Sequence, residues 1–417
     1  MNDSPGRGFI LQDPIYGFID LLADENQLVN HPIFRRLRNL RQSPMAHTVY
    51  SSANHNRFEH SLGTMWIASQ IIKQLEGYGR PTIENEMVTI RLAALLHDIG
   101  HGPFSHVFEA FIDETQGVTF ETMRREIVTK TEIKDIVERQ GCSTHEILDL
   151  LERGEESSRV LSSIVSSPLD ADRIDYTVRD GFYTGIYGVI DLDGLAKSFR
   201  VRRNRLVHGT DTLTALETFA LGVYRLHAAL YYHRAVRSAE LMLSEALRAV
   251  DEEIGIGEIV RRPEDYVRLD DSGMLKLILD LEPSNLAARR ARELVRSLQR
   301  LELLPVAFEA NIALSDLEAI TALREPRNVE NTLRHQISVG ADIGEENVFV
   351  DILTYDPKQV DILVETRDGL TRTLAEVSQT VRLLLPMNFI RVYTLPQFVK
   401  SVKEISKKCW REQKLQS

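Results

Sequence analysis

The chain has little cysteine: only Cys142 and Cys409 occur among its 417 residues. Two cysteines cannot supply the disulfide framework of a small secreted protein, so a reducing cytoplasm is the expected setting. No run of even ten uninterrupted apolar residues occurs, whereas a membrane-spanning helix needs roughly 18. The first ten residues lack the basic start and the apolar stretch that are typical of a secretion signal. We therefore expect a cytoplasmic protein without a membrane partner.

An excess of positive charge is also missing. The chain has 50 Lys and Arg residues against 61 Asp and Glu residues, a net charge of −11, so nucleic acid is a possible but not a favoured partner. Hydrophobic residues make up 43% of the chain, which excludes a mainly disordered protein. Five arginines at helical spacing can form a basic face, but glutamates between them favour an ordinary solvated helix. The five are Arg289, Arg290, Arg292, Arg296 and Arg300.

Hydrophobic periodicity divides the chain into four parts. Residues 1–30 form a predicted N-terminal arm or hairpin, and residues 31–253 show the i, i+3, i+4 spacing of amphipathic helices. Residues 254–340 are more polar and form a predicted helical linking region, whereas residues 341–417 mix β-forming stretches with helices. We therefore predict a mainly α fold, with a helical core and a small α+β C-terminal lobe.

Local signals predict three elements within the helical core. A helix over Asp170–Asp180 is closed by Gly181, and Phe199–Val207 is predicted to form a hairpin. One long helix is predicted from Asp211 to Val250. Four of its residues recur at i, i+4, i+8 and i+11 and therefore share one predicted face. They are Val223, His227, Tyr231 and Arg234.

Three short blocks place metal-ligating residue types at the starts and ends of predicted helices. They are HNRFEHS at 55–61, LLHDIGHGPFSH at 95–106 and DADRIDY at 170–176. Imidazole nitrogens together with carboxylate oxygens suit a borderline or hard divalent ion such as Mn, Fe, Zn, Ni or Mg. Such a site supplies a water nucleophile at neutral pH. Alternatively, each histidine caps a helix or satisfies a buried polar group, which explains one histidine better than it explains all of them together.

The three blocks resemble the HD-domain phosphohydrolases. Their spacing is similar to that of the deoxynucleoside triphosphate triphosphohydrolase branch, which holds the SAM-and-HD-domain enzymes and the bacterial deoxyguanosine triphosphohydrolases; no SAM domain is present here. Weaker likenesses are DPIYG at 13–17, FRRLR at 34–38 and FIRVY at 389–393. The resemblance implies an HD-domain helical core and hydrolysis of a deoxynucleoside triphosphate to deoxynucleoside and inorganic triphosphate. It also implies a homo-oligomer, either a dimer or a larger assembly.

The resemblance implies a role for each matching residue. The implied metal ligands are His60, His97, Asp98 and Asp172. Among the implied catalytic residues, Asp98 positions the water. Three histidines contact the phosphates: His101, His106 and His145. Glu109 is the acid that pairs with His106. The implied substrate-binding residues are Gln42, Arg57, Arg173, Tyr176, Asp180, His227 and Tyr231. Among these, Tyr176 is expected to pack beneath the deoxyribose, where a 2′-hydroxyl is excluded.

One position departs from the pattern and keeps other functions open. Val223 stands where an arginine is expected in related enzymes. A second hypothesis is therefore an HD-type phosphatase or phosphodiesterase that acts on another nucleotide. A third is a nucleotide-binding regulator whose HD site is only structural. The presence of His101, His106 and Glu109 argues against the third, because binding alone does not need an acid–base pair.

Overall fold

The computed structural model describes residues 9–77, 84–152, 159–186, 188, 190–282, 285–312, 326–357 and 362–414. It begins with a hairpin of strands β1 (Phe9–Asp13) and β2 (Gly17–Leu21). The turn closes because Asp13 Oδ1 accepts hydrogen bonds from the backbone nitrogens of Ile15 and Tyr16, at 2.8 and 3.1 Å. Gly17 has φ +75°, a backbone conformation that favours glycine.

Helices form most of the chain between this hairpin and residue 198. Their bounds are α1 (Ala23–Asn30), α2 (Pro32–Arg35), α3 (Arg57–Gly77), α4 (Glu84–Leu96), α5 (His106–Gln116), α6 (Phe120–Lys130), α7 (Ile133–Arg139), α8 (Thr144–Glu152), α9 (Arg159–Val165), α10 (Ala171–Thr184) and α11 (Leu192–Ser198). Helices α4 and α10 both pack against α3. Gly63 makes the approach of α10 possible, because a Cβ atom there would lie 1.9 Å from Asp175 Oδ1. This packing brings the three metal-ligand blocks together.

Strands β3 (Phe199–Arg202) and β4 (Arg205–Gly209) confirm the predicted hairpin. Its two turn residues, Arg203 and Asn204, have φ of 47° and 57°, as a type I′ turn requires.

Two predicted helix bounds are wrong. Helix α10 continues through Gly181 and ends at Thr184. The next residue, Gly185, caps it with φ 71°. The long predicted helix is two helices, α12 (Leu213–Leu226) and α13 (Arg234–Ile254), separated by a π-helical turn at His227–Tyr231. After the π turn, Tyr232 leaves the helical conformation and His233 is extended, with ψ 131°, so the helix stops there and α13 begins anew. Arg234 consequently leaves the face of His227 and Tyr231 and pairs with Glu309 at 2.7 Å.

The remaining elements form the linking helices and the C-terminal lobe. The helices are α14 (Ile256–Val260), α15 (Pro263–Tyr266), α16 (Asp271–Asp280), α17 (Leu286–Gln299), α18 (Pro326–Ala341), α19 (Leu374–Val377), α20 (Gln379–Arg382) and α21 (Val399–Lys414). The strands are β5 (Val306–Asn311), β6 (Val348–Tyr355), β7 (Leu363–Glu365), β8 (Thr371–Thr373) and β9 (Met387–Thr394). The mainly α fold with an α+β C-terminal lobe is thus confirmed.

Two sheets connect the lobe to the core. Strand β9 lies between β5 and β6 in an antiparallel sheet, on which α18 and α21 pack. Strand β7 pairs with β8 and, in parallel, with β4 of the core. The larger hydrophobic cluster takes residues from all four predicted parts, from Ile19 to Tyr393, so the four-part division stays a prediction. No helix within the described ranges has the length and apolar character needed to cross a bilayer.

Helix α17 carries the arginine-rich stretch. Its apolar face is buried through Ala288, Ala291, Leu294, Val295 and Leu298. At the edges of this face, Arg292 donates to the Leu281 carbonyl at 2.8 Å and Arg290 donates to the Glu346 carbonyl. These contacts are those of a helix that packs between the linking region and the lobe.

Candidate active site

A group of buried metal-ligand atoms lies where α3, α4 and α10 meet. His60 of α3, together with His97 and Asp98 just after α4, offers ligand atoms that all lie within 4.8 Å of one another. Asp172, in the first turn of α10, places Oδ1 3.0 Å from His60 Nε2 and 3.7 Å from His97 Nε2. The donor set of imidazoles and carboxylates fits a borderline or hard divalent ion. Such an ion polarises a phosphoryl oxygen and activates water.

Each histidine of this cluster is oriented by an acceptor behind it. His97 Nδ1 donates to the Ala94 carbonyl at 2.7 Å, and His60 Nδ1 lies 2.7 Å from Asp175 Oδ2. Because these acceptors take the Nδ1 protons, both Nε2 atoms are directed into the cluster. This arrangement, in which a second group fixes the tautomer, is typical of histidine metal ligands.

The electrostatics of the cluster are those of a cation site. Burial alone would lower the pKa of His60, but hydrogen bonds with Asp172 and Asp175 raise it to about 10. Burial raises the pKa of Asp98, yet the charges of Arg57 and His97 outweigh it and hold that pKa well below its usual range. The carboxylates therefore stay ionised, and binding of a metal at His60 releases a proton.

Arg57 lies beneath the cluster and is only 2% exposed. Its Nη1 lies 2.5 Å from Asp98 Oδ2, and its Nε donates to Ser105 Oγ at 2.6 Å. Ser105 and the preceding Phe104 have φ of 47° and 57°, a strained conformation for residues with side chains. Asp271 holds this turn by accepting from the Phe104 nitrogen at 2.8 Å. The role of Arg57 toward phosphates stays a prediction.

A single carboxylate joins two of the predicted catalytic histidines. Glu109 Oε2 lies 3.0 Å from His106 Nδ1, and Glu109 Oε1 contacts His101 Nδ1. His101 Nε2 in turn lies 3.1 Å from Asp98 Oδ1. Burial raises the pKa of Glu109, but the two imidazoles lower it far more. The His101 contact was missed in the sequence, although His101 stands only eight positions before Glu109.

His145 lies apart from this group. It is near the start of α8, its ring lies 3.3 Å from Asp149 Oδ2 on the same helix, and its side chain is 76% exposed. It is not among the described residues that line the cavities below. The contact of His145 with phosphates therefore stays a prediction.

A cavity of about 480 Å³ brings together six of the predicted residues. They are Gln42, His106, Tyr176, Asp180, His227 and Tyr231. Asp180 accepts from Tyr231 Oη at 2.7 Å and from Ser43 Oγ at 3.1 Å, and its Oδ1 lies 2.6 Å from His55 Nε2. Gln42 Oε1 is buried without a hydrogen-bond partner in the described structure. This wall therefore offers hydroxyl, carboxylate and amide groups to a polar ligand.

Two charged residues that line this cavity were not predicted. Arg237 and Glu240 of α13 line it, with Arg237 Nη1 2.5 Å from Glu240 Oε2. Arg237 also pairs with the buried Asp351 of β6 at 2.7 Å. Their i, i+3 spacing is an available signal, but the break between α12 and α13 conceals which face of α13 meets the cavity.

A second cavity has a volume of about 260 Å³ and shares Tyr176 and His227 with the first. We call it the tail chamber, after the C-terminal lobe that forms part of its wall. Its other described lining residues are Pro168, Arg173, Phe219, Ala220, Val223, Tyr355, Pro357, Ile362, Leu374 and Val381. Arg173 is the one lysine or arginine among these described residues. His227 stacks on Tyr355 with ring centroids 3.9 Å apart, and burial lowers its pKa. The tail chamber therefore combines one guanidinium with apolar and aromatic walls.

Comparisons with known proteins agree with this architecture. The HD domain family matches residues 57–177, and the HD associated region matches residues 190–414. An uncharacterized protein of Methanocaldococcus jannaschii is 34% identical over 246 residues, which cover 57% of this chain and 49% of that protein. The human deoxynucleoside triphosphate triphosphohydrolase SAMHD1 is 25% identical over an alignment of 452 positions, gaps included, which covers 92% of this chain and 70% of the enzyme.

A solved structure is similar over almost the whole chain. The crystal structure of a phosphohydrolase from Bacteroides thetaiotaomicron has a TM-score of 0.74 and 25% sequence identity, and the match covers 93% of this chain and 99% of that one. The chain spans about half to two thirds of the length of the first curated relatives that it matches. With its ligand cluster inside the matched HD region and the associated region over more than half of its length, the chain belongs to the HD-domain family.

Proposed function

We propose that this chain is a metal-dependent phosphohydrolase that cleaves deoxynucleoside triphosphates to deoxynucleoside and inorganic triphosphate in the cytoplasm. The observation that carries the proposal is a single cavity that is lined both by His106 and by the group of Gln42, Tyr176, Asp180 and Tyr231. Tyr176 follows the predicted ligand Asp172 by one helical turn, so this cavity adjoins the group of predicted metal ligands. The names of the SAMHD1 relatives favour the same substrate class.

In the proposed reaction, some residues bind the substrate and others transfer a proton. Water attacks the α-phosphorus, the bond from that phosphorus to the 5′-oxygen breaks, and the leaving oxygen takes a proton. Asp98 positions the water, and His106 donates the proton while Glu109 holds its ring through Nδ1. Arg57, Arg173, His101 and His145 are assigned to the phosphates.

The sugar lies against the polar wall of the cavity in this proposal. The Tyr176 ring fills the space that a 2′-hydroxyl would need, and Gln42 accepts a hydrogen bond from the 3′-hydroxyl. The buried Gln42 Oε1, which has no hydrogen-bond partner in the described structure, supports this role. His227 and Tyr231 complete the wall toward the phosphates and the base.

The decisive experiment identifies the product. The metal-loaded protein is incubated with deoxy- and ribonucleotides of each phosphorylation state, and the products are separated by chromatography. We expect free triphosphate together with deoxynucleoside. An Asp98→Ala variant gives the background of contaminating phosphatases. Turnover that never releases triphosphate would contradict the proposed reaction.

A second candidate function is a phosphatase or phosphodiesterase that acts on another nucleotide. Val223 and the apolar walls of the tail chamber favour it, because Arg173 alone among the described lining residues offsets the charge of a phosphate chain there. In the same assay this function releases orthophosphate or a nucleoside monophosphate. A regulator with a structural HD site instead binds nucleotide without any product.

A homo-oligomer, either a dimer or a larger assembly, belongs to the same proposal. The N-terminal hairpin exposes three large apolar side chains, Phe9, Ile10 and Phe18, of which Ile10 and Phe18 share one face. Light scattering coupled to size exclusion measures the mass of the particle. A monomer at micromolar concentration would contradict this part of the proposal.

A further inference from the structure

A row of buried charged side chains connects the N-terminal hairpin to the metal ligand His60. Asp175 Oδ2 lies 2.7 Å from His60 Nδ1 and accepts a hydrogen bond from Arg179 Nε at 2.9 Å, while Arg179 Nη2 donates to Asp175 Oδ1 at 3.0 Å. Arg179 Nη1 then lies 3.0 Å from Asp13 Oδ2. All four side chains are buried. Asp13, Arg179 and Asp175 contact neither the cavity nor the tail chamber within the described structure.

The hairpin holds Asp13 at the outer end of this row. Asp13 Oδ1 is occupied by the two backbone nitrogens of the turn, so its Oδ2 is the atom directed at Arg179. Tyr16, also in the turn, stacks on Trp66 of α3 with ring centroids 4.6 Å apart. The Arg179 guanidinium lies 5.6 Å from the centre of the same tyrosine ring. The hairpin is therefore fixed to the helix that carries His60.

The alternation of charge explains why the row needs all three members. A buried guanidinium is strongly destabilising unless carboxylates surround it. With Asp13 on one side and Asp175 on the other, Arg179 is held in place, and its two hydrogen bonds fix the plane of the Asp175 carboxylate. That carboxylate then fixes the His60 ring. Without it, the ring is free to rotate or to present the wrong nitrogen to a metal.

We propose that Asp13, Arg179 and Asp175 are positioning residues for the metal site, which makes the N-terminal hairpin a working part of the metal centre. The row sets the tautomer and orientation of His60 from a segment that lies more than forty residues before it. This inference concerns metal binding alone and applies to any nucleotide substrate.

Gly63 offers an independent way to disturb the row. A Cβ atom at this position would lie 1.9 Å from Asp175 Oδ1 and 2.5 Å from Arg179 Nη2. The change Gly63→Ala therefore displaces the pair without altering any charge. If the row positions His60, an uncharged substitution on α3 has the same consequence as removal of a carboxylate on α10.

The experiment measures cobalt binding by the full-length protein. Affinity is obtained by competition with a chelator, and the visible absorption of bound Co²⁺ reports the coordination of His60. We expect Asp175→Asn to weaken Co²⁺ binding by roughly 10–100-fold, the usual loss when the partner of a ligating histidine is removed. We expect Gly63→Ala to alter the spectrum in the same way and Asp13→Asn to have a smaller effect of the same kind. Asp20→Asn, an exposed change in the same hairpin, is the matched control.

Each outcome decides the proposal. Unchanged Co²⁺ affinity and spectrum in a folded Asp175→Asn variant would overturn the row as a whole. An effect of Asp175→Asn without any effect of Asp13→Asn would overturn the part assigned to the hairpin. If Asp175→Asn does not fold, Asp13→Asn decides alone, because asparagine keeps the Oδ1 acceptor that closes the turn. Circular dichroism and the melting temperature establish which variants are folded.

Discussion

Two buried histidines lie in opposite electrostatic surroundings. His60 has its pKa raised to about 10 by the carboxylates around it, although burial alone would lower it. His208, in strand β4, has its pKa lowered to about 3 by burial. His60 belongs to the metal side, which comprises the ligand cluster and the groups behind it. His208 belongs to the tail side, which comprises the tail chamber and the adjoining strands β4 and β7. Ile362 lines both the tail chamber and the cavity beside His208.

The difference lies in how the two sides treat buried charge. On the metal side, Arg57 pairs with Asp98, and Asp175 accepts a hydrogen bond from His60. The side chains that would hold the metal are therefore oriented before a metal ion or a substrate binds. Buried charge is tolerated there because each group has a partner. On the tail side, shape and apolar contact dominate, and Arg173 supplies the positive charge among the described lining residues. In the proposed function, the metal side therefore supports the hydrolysis itself, whereas the tail side takes part in the choice of substrate.

The largest expected effect comes from removing charge on the metal side. Asp98→Ala deletes a predicted ligand and leaves the Arg57 guanidinium buried without its carboxylate partner. We expect metal content to fall from about one ion per chain to background and activity to disappear with it. Elemental analysis of the purified protein measures the metal, with Asp113→Ala, exposed on α5, as the control. Normal metal content in a His97→Ala, Asp98→Ala double variant would refute the site.

The next effect separates proton transfer from metal binding. His106 is 80% exposed and pairs with Glu109, outside the metal cluster. We expect His106→Ala to keep its metal and its nucleotide affinity but to lose turnover by roughly 10²–10⁴-fold, the usual contribution of a general acid. Single-turnover kinetics provide the measurement. A parent-like rate would remove His106 and Glu109 from the mechanism. If His145 reaches the phosphates, His145→Ala raises KM in the same assay.

A change at Tyr176 tests the place where the tail chamber adjoins the larger cavity. Its ring lines both cavities, and in the proposed pose it excludes a 2′-hydroxyl by contact. Steric exclusion is relieved when the bulky group is truncated. We therefore expect Tyr176→Ala to lower kcat/KM for the deoxy substrate and to shrink the deoxy-to-ribo ratio, by up to about 100-fold. Kinetics on a matched pair of triphosphates give this ratio. An unchanged ratio would move the discrimination to Gln42 or Asp180.

A cation introduced on the tail side would make the two sides more alike. Val223 is buried in the wall of the tail chamber. If a triphosphate tail enters it, we expect Val223→Arg to lower KM for triphosphates by about tenfold, since a hydrogen bond to a charged group contributes about 1.5–3 kcal/mol. Val223→Met is the control for size. A KM that stays the same for triphosphates but falls for another phosphate ester would favour the second candidate function.

The metal side was predictable from sequence because its residues stand in short blocks at helix ends. His60, His97 and Asp98 each stand in a short block of recognisable residues, and the fold needs only to bring three helices together. The row from Asp13 to Asp175 has no such local pattern, because its members belong to a hairpin and a helix far apart in the chain. The tail side was predicted only in part. Arg173, Tyr176 and His227 were predicted to bind substrate, but nothing in the sequence indicated that they line a chamber with residues of α12 and the C-terminal lobe. The apolar periodicity of residues 211–250 also gives no sign of the π turn at His227–Tyr231.

The smallest expected effect is on the acid stability of the tail side. An unfolded histidine titrates near pH 6.5, whereas His208 in the folded protein titrates near pH 3. Above pH 6.5 both states are neutral and the residue contributes nothing to pH dependence. Between these values the unfolded state binds a proton that the folded state does not. Stability is therefore lost as pH falls from 6.5 toward 3, with a slope of up to about 1.4 kcal/mol per pH unit.

We expect His208→Gln to remove this part of the slope, because glutamine keeps a donor for the Ser198 hydroxyl but does not titrate. Urea unfolding of both proteins between pH 6.5 and 4.5, in buffer with chelator so that metal release does not contribute, gives the two stability curves. The control is His335→Gln, an exposed histidine of α18. Carboxyl groups lower the stability of all three proteins, so only the difference between curves counts. Parallel curves for the parent and His208→Gln would mean that His208 accepts a proton while folded, and the tail side would then tolerate charge as the metal side does.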